Sequence, residues 1–302
     1  MSDAPARETR GQTARGARAD LSEPEVVVLP DPAAVSAAAA ERFAAAVVDA
    51  ARRRGRADVA TTGGSTPVGI YTRLGVAPLR DGVPWELVHV WFGDDRFVAR
   101  EHPLSNVLPV DQVLVRAAAR AGLAGDGASG VDVLVGIEPG APLPAGNIHP
   151  FPCAQAIAES HGAAWCAQAY AERIRAELEL DDEGWPVFDL VLLGVGPDGH
   201  ILSVFPGSTA LASTELALAV PAPTHVEPHV ERVTLNPRFL DAAREVLVIS
   251  HGAGKAEVIG TIFGSDRDPG RWPAQLVRRA GVTWLLDEAA AARLPGRAAG
   301  RS

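Results

Sequence analysis

The stretch Gly194-Val195-Gly196-Pro197-Asp198-Gly199-His200 sets a carboxylate two residues before an imidazole, inside a glycine-rich turn that follows the apolar run Phe188-Asp189-Leu190-Val191-Leu192-Leu193. Glycines allow the backbone to turn tightly and approach a ligand closely. An imidazole with an ordinary pKa of about 6.5 can take a proton from water near neutral pH. His200 is therefore the leading general-base candidate among the eight histidines, with Asp198 placed to orient its ring. The stretch also satisfies G-x-G-x-x-G literally, which raises dinucleotide binding. Pro197 stiffens the turn, however, and Phe205-Pro206-Gly207 leads into proline-rich chain where a βαβ unit would need a second strand ending in an acidic residue.

Three further segments carry groups suited to an anion. Thr62-Gly63-Gly64-Ser65-Thr66-Pro67 lies between an apolar run and a helical pattern, where backbone N–H groups and hydroxyls at a helix N-terminus favour negative charge. Pro67 fits a first helical turn, since its missing N–H costs nothing there. This is not a Walker loop, because no Gly-Lys-Ser/Thr follows at the required spacing. Gly93-Asp94-Asp95-Arg96 ends the run Val88-His89-Val90-Trp91-Phe92. There Arg96 can polarise an oxygen anion while a carboxylate orients it, and His102-Pro103-Leu104-Ser105-Asn106 can steady the loop. Arg232, before Val233-Thr234-Leu235, and Lys255, after His251-Gly252-Ala253-Gly254, supply the cations a phosphate needs. His225, Glu227 and His229 lack metal-ligand geometry, since Pro228 interrupts them and no HExxH order is present. No metal and no cofactor is expected.

The elements that must position these groups follow from periodicity. Short apolar runs at Glu25–Leu29, Ala57–Thr62, Leu87–Phe92, Phe188–Leu193, Glu245–Ser250 and Val282–Leu286 read as strands covered on both faces. Ala33–Arg53 and Ala163–Leu178 read as helices, and Asp241–Arg244 as the end of a shorter one. The Gly/Pro/Ala-rich segment Gly122–Pro152 and the proline-rich Pro221–Pro228 read as loops. The alternation predicts an α/β fold: a single Rossmann-like domain with a mainly parallel sheet flanked by helices. Open sheets of this kind bind ligands beyond the carboxyl ends of their strands. The first three motifs and Lys255 all fall at such ends, so they are expected to converge on one pocket, with Arg232 reaching in beside them.

Composition narrows the function classes. The 302 residues and 47% hydrophobic content suffice for a sizeable core. A formal charge of −9 argues against nucleic acid as a partner and confines anion recognition to a few local cations. Cys153 and Cys166 form neither a CxxC pair nor a zinc array, which fits a reducing, cytoplasmic setting. Residues 1–20 and 292–302 are expected to be disordered tails flanking a domain at 21–291. No run is long and apolar enough for a membrane helix, and residues 1–20 lack the apolar core of a secretory signal.

Taken in order, Gly63-Gly64-Ser65-Thr66-Pro67, Trp91-Phe92-Gly93-Asp94-Asp95-Arg96-Phe97-Val98, His102-Pro103-Leu104-Ser105-Asn106, Gly196-Pro197-Asp198-Gly199-His200 with Ser203-Val204-Phe205-Pro206-Gly207, Arg232-Val233-Thr234-Leu235 and Gly252-Ala253-Gly254-Lys255-Ala256 make the chain resemble the 6-phosphogluconolactonase family from about Val26 to Leu286. The resemblance implies the glucosamine-6-phosphate deaminase fold and metal-free hydrolysis of 6-phospho-D-glucono-1,5-lactone in the pentose phosphate pathway. It also implies a small-molecule phosphosugar lactone as the only partner besides, at most, weak self-association. By the same resemblance, Gly63, Gly64, Ser65, Thr66, Arg232 and Lys255 would hold the phosphate, and Asp94, Arg96, Asp198 and His200 would surround the lactone. The chain departs from the pattern at Asp95, where Glu is usual, at Ile201-Leu202, where Thr-Ala is usual, and at Thr62, where Ser is common. Two other readings share the fold. An amino-sugar-6-phosphate deaminase or isomerase would resemble Asp-Glu-Tyr at the second motif and carry a carboxylate soon after the histidine, whereas here Arg96 stands at the Tyr position and Ser203–Gly207 has no acid. A non-catalytic phosphosugar sensor would need a DNA-binding module, for which neither end is patterned.

Overall fold

A computed structural model describes residues 23–64, 66–115 and 140–296; Ser65, the tail at 1–20 and positions 297–302 of the expected second tail lie outside them. The first strand, β1 (Glu25–Leu29), leads to helix α1 (Pro32–Arg54). Its start is written locally: Asp31 accepts a hydrogen bond from the Ala34 N–H at 2.8 Å, and Pro32 occupies the first turn. Its end is equally explicit, with Gly55 in the left-handed region at φ 72° and its N–H bonded to Ala51 O. Val35, Ala39, Phe43, Val47 and Ala50 form the buried stripe of α1.

Strands β2 (Ala57–Thr61) and β3 (Val88–Phe92), with α2 (Thr66–Leu74) between them, are followed by β4 (Asp94–Arg96) and β5 (Ile148–His149). The remaining strands are β6 (Leu190–Leu193), β7 (Ala217–Val220), β8 (Arg232–Leu235), β9 (Val246–Ser250) and β10 (Val282–Asp287). A parallel seven-stranded sheet has the order β1-β10-β9-β6-β2-β3-β5, and a second sheet has the antiparallel order β4-β8-β7. Helix α5 is Ala163–Glu177, and α3 and α4 are the short helices Leu79–Gly82 and Cys153–Ala158. Short α6 (Phe239–Ala242) precedes β9, and α7 (Ala256–Gly264) follows it. The expected α/β architecture with a mainly parallel sheet is observed. Among the described residues no helix is long and apolar enough to cross a membrane.

The structure adds to the expected elements in three places. The segment read as loop to Pro152 contains β5, which pairs with β3 through Val90 and Ile148, so an apolar pair too short to show periodicity completes the sheet. The antiparallel sheet has no periodic signal in Asp94-Asp95-Arg96, whose buried carboxylates accept from Ser203, Asn106 and the Arg96 N–H. The described chain also continues past residue 291: a 3-10 turn spans Ala290–Arg293, and a Cβ on Gly260 would lie 2.7 Å from Arg293 O. The segment beginning at 292 therefore packs on α7 before the described residues end.

Neighbouring strands β2 and β6 form the switch point of the parallel sheet. The chain runs from β2 outward through β3 to β5, and from β6 outward through β9 to β10. Ligand crevices of open sheets form at such points, where connections leave in opposite directions. Gly93 joins the two sheets, its N–H bonding to Thr61 O at 2.9 Å and its carbonyl accepting from Leu235 N–H at 2.8 Å.

Candidate active site

The loop after β6 is folded by its glycines. Gly199 has φ 82°, and Gly196 N–H bonds to His200 O at 2.8 Å, so the chain doubles back on itself. A Cβ on Gly196 would lie 2.0 Å from His200 Nδ1, which only glycine avoids. Asp198 Oδ1 then lies 2.5 Å from His200 Nδ1. A carboxylate can only accept, so Nδ1 donates to it, which in the neutral ring leaves the lone pair on Nε2. Burial opposes the charge on Asp198, but the hydrogen bonds and charge of His200, with a further bond from His225, hold its carboxyl well below the usual range. Phe205 packs against the His200 ring, with centroids 4.7 Å apart.

Lys255, at the turn before α7, donates to Val195 O at 2.7 Å and so braces the same loop. Burial lowers its pKa, and the charge of Asp198 opposes that shift. Thus Lys255, Asp198 and His200 are brought together around one loop.

Arg96 and Arg232 are directly paired across β4 and β8. Arg232 is 4% exposed and donates to Val230 O and Pro228 O, and its guanidinium lies 5.9 Å over the Phe205 ring. Burial and then the charge of Arg96 lower its pKa, opposed by Asp94 and Asp95. Arg96 Nη1 donates to Leu104 O and Asn106 Oδ1, while its buried Nε–H has no acceptor. Two guanidiniums side by side, one with an unanswered donor, form a place for an anionic or developing negative oxygen.

Asn106 ties this pair to the turn after β2. Its side chain donates to Asp94 O at 2.8 Å, and a Cβ on Gly63 would fall 1.6 Å from its Oδ1, so the glycine there admits the amide. Gly64 has φ 89° and is exposed, and Thr66 opens α2. Asp94 is 5% exposed, with Oδ2 accepting from Ser203 Oγ at 2.6 Å and Oδ1 within 3.3 Å of Asn106 Nδ2. Its carboxylate thus clamps β4 to the turn after His200. In that turn Ile201 bridges to Val204, and Leu202 takes a left-handed φ of 54° with its side chain against Gly93; a leucine there costs roughly 1–2 kcal/mol. Asp95 accepts from the N–H groups of Asn106 and Arg96, and burial, against those bonds, pushes its pKa up to about 7.

In the sequence, His225 and His229 stand out only as metal-ligand types. The structure instead sends His225 Nε2 to Asp198 Oδ2 at 2.8 Å and His229 Nδ1 to Pro223 O at 2.6 Å. Phe205 lies within the Ser203–Gly207 motif, and no local signal marks it as the ring shared by His200, His225 and Arg232. A cavity of about 230 Å³ is lined by residues that include Asp95, Arg100, Phe151 and Arg173, and His200 is not among them.

A family model for glucosamine-6-phosphate isomerases/6-phosphogluconolactonase matches residues 30–285. The chain is 32% identical over 249 residues to a 6-phosphogluconolactonase of Synechocystis sp., covering 82% of this chain and 89% of that one. It is 31% identical over 273 residues to a 6-phosphogluconolactonase of Streptomyces coelicolor, covering 90% and 95%. Among solved structures, 6-phosphogluconolactonase from Trypanosoma cruzi superimposes with a TM-score of 0.73 at 26% identity, covering 90% of this chain and 97% of that one. A monomeric glucosamine-6-phosphate deaminase shares the fold at 16% identity and a TM-score of 0.65, covering 89% and 99%.

Proposed function

The chain belongs to the glucosamine-6-phosphate isomerase/6-phosphogluconolactonase family, and from that premise we propose that it hydrolyses 6-phospho-D-glucono-1,5-lactone to 6-phospho-D-gluconate. The observation that carries this reading is the Asp198–His200 pair at the switch point of the sheet, in which the contact at Nδ1 leaves Nε2 as the acceptor of the neutral ring. Relatives of about 30% identity named for this activity support the substrate.

In the proposed mechanism, His200 Nε2 takes a proton from water as its oxygen attacks the lactone carbonyl carbon. Asp198 holds the tautomer and favours the imidazolium that forms. Arg96 faces the oxyanion. As the tetrahedral intermediate collapses, the ring C–O bond breaks and the imidazolium protonates the departing ring oxygen, leaving a carboxylic acid that ionises in solution. General-base assistance contributes about 10²- to 10⁴-fold, and one oxyanion donor about 10²- to 10³-fold. Gly63, Gly64, Ser65 and Thr66 with Arg232 and Lys255 are assigned to the phosphate. We assign Asp94 a positioning role, because both its oxygens are already engaged by Ser203 and Asn106. The proposed enzyme comprises one domain, acts in the cytoplasm as a monomer or weak homo-oligomer, and uses no metal.

The test is a substrate comparison. Freshly made lactone, corrected for spontaneous hydrolysis, should be consumed equally fast with and without chelator, and glucosamine 6-phosphate should release no ammonia. Ammonia release without lactone hydrolysis would place the chain with the deaminases, and loss of rate in chelator would overturn the metal-free chemistry.

A further inference from the structure

Asp198 has two carboxylate oxygens, and a different imidazole holds each. Oδ1 meets His200 Nδ1, and Oδ2 meets His225 Nε2 at 2.8 Å. His225 stands on the connection between β7 and β8, and its side chain is 49% exposed although its Nε2 turns inward. That connection is fastened beside the site: Arg232 donates to its Pro228 and Val230 carbonyls, and His229 donates to its Pro223 carbonyl. The His225 ring meets Phe205 edge-on with centroids 5.8 Å apart, and Phe205 packs in turn on His200. Asp198, His200, Phe205 and His225 therefore close a ring of contacts. Because the carboxylate only accepts, His225 Nε2 must carry a proton in this arrangement.

We propose that His225 is a positioning residue for hydrolysis, whose N–H holds the second oxygen of Asp198 and thereby sets both the aim of the His200 ring and how firmly it keeps its proton. The proposal rests on the reading of His200 as the base. A carboxylate shared between two donors offers less negative charge to each, so His225 makes His200 a weaker holder of protons than a lone Asp–His pair would be. The other charged groups facing this cluster are Lys255, which acts on Asp198, Arg232 across Phe205 with Arg96 beside it, and Glu227, paired with His229 at 3.0 Å. They are common to every variant below.

The experiment follows the His200 Hε1 resonance with pH in the substrate-free full-length protein, assigned by His200→Ala, in wild type, His225→Ala and His225→Gln, alongside kcat/KM profiles on the lactone. Glutamine keeps an N–H donor at the place of Nε2 but does not titrate. Alanine should raise the His200 midpoint and the acid limb of kcat/KM together by about one pH unit, a loss of about tenfold on the acid side, while glutamine stays near wild type. Unchanged titration in the alanine variant, or equal shifts in both variants, would overturn the proposal. The resonance titration needs no turnover, so failure of the lactone as substrate is seen separately from failure of His225 to act on His200.

Discussion

Gly196→Ala isolates the position of one ring from the stability of the fold. The residue is not in the left-handed region, so alanine meets no backbone penalty there, and its Cβ would lie 2.0 Å from His200 Nδ1 and 2.1 Å from Cε1. Ordinary contact is about 3.5 Å, so the imidazole must retreat by roughly 1.5 Å. That distance breaks its 2.5 Å bond to Asp198 and moves Nε2 off the water. A misplacement of about 1 Å already costs about 10²-fold, and loss of the base altogether about 10²- to 10⁴-fold. Overpacking at this site should cost about 1–3 kcal/mol of stability, partly offset by about 0.4–1 kcal/mol from the stiffer unfolded chain. Turnover of Gly196→Ala should thus fall at least 10²-fold while cooperative thermal unfolding is retained. Gly194→Ala is the control, since its Cβ would meet nothing within 4 Å, and it should keep turnover near wild type. A Gly196→Ala enzyme turning over within about threefold of wild type would refute the placement of His200.

Three further outcomes follow from the same contacts. Lys255→Ala should raise KM, since Lys255 is proposed to hold the phosphate, and also lower kcat, because Lys255 braces Val195 O; steady-state kinetics showing a pure KM effect would remove the brace. Asp95 is raised from its ordinary value of 3.8 to about 7 by burial, so its contribution to stability is full below 3.8 and declines by about 1.4 kcal/mol per pH unit as pH rises toward 7. Urea unfolding of Asp95→Asn across that window should lack the decline. His149 is lowered from 6.5 to about 3 by burial and then by the charges of Arg173, His89 and Arg56. Its contribution is full above 6.5 and is lost as pH falls toward 3, and His149→Asn should flatten that acid limb of stability.

The legible parts of the fold were those whose cause is local. The strands β2, β3, β6, β9 and β10 are short, mostly apolar runs, and α1 announces its start with Asp31-Pro32 and its end with Gly55. Strand β4 was hidden because its buried charges are satisfied by Asn106 and Ser203, the latter 109 residues from Asp94. Strand β5 has only Ile148 and His149, too few residues for a period. The same division runs through the site. Asp198 and His200 are neighbours in sequence and declare themselves, whereas His225 reaches Asp198 only because the β7–β8 connection is tied down by Arg232. Arg96 was legible as a cation at a strand end, but its pairing with Arg232 depends on the register of β4 and β8.

The most direct measurement is proton release from freshly prepared 6-phosphogluconolactone, above the spontaneous rate, by wild type and His200→Ala. Wild type should accelerate release, and His200→Ala, folded by circular dichroism, should lose about 10²- to 10⁴-fold in turnover. A His200→Ala enzyme with wild-type turnover would contradict the account.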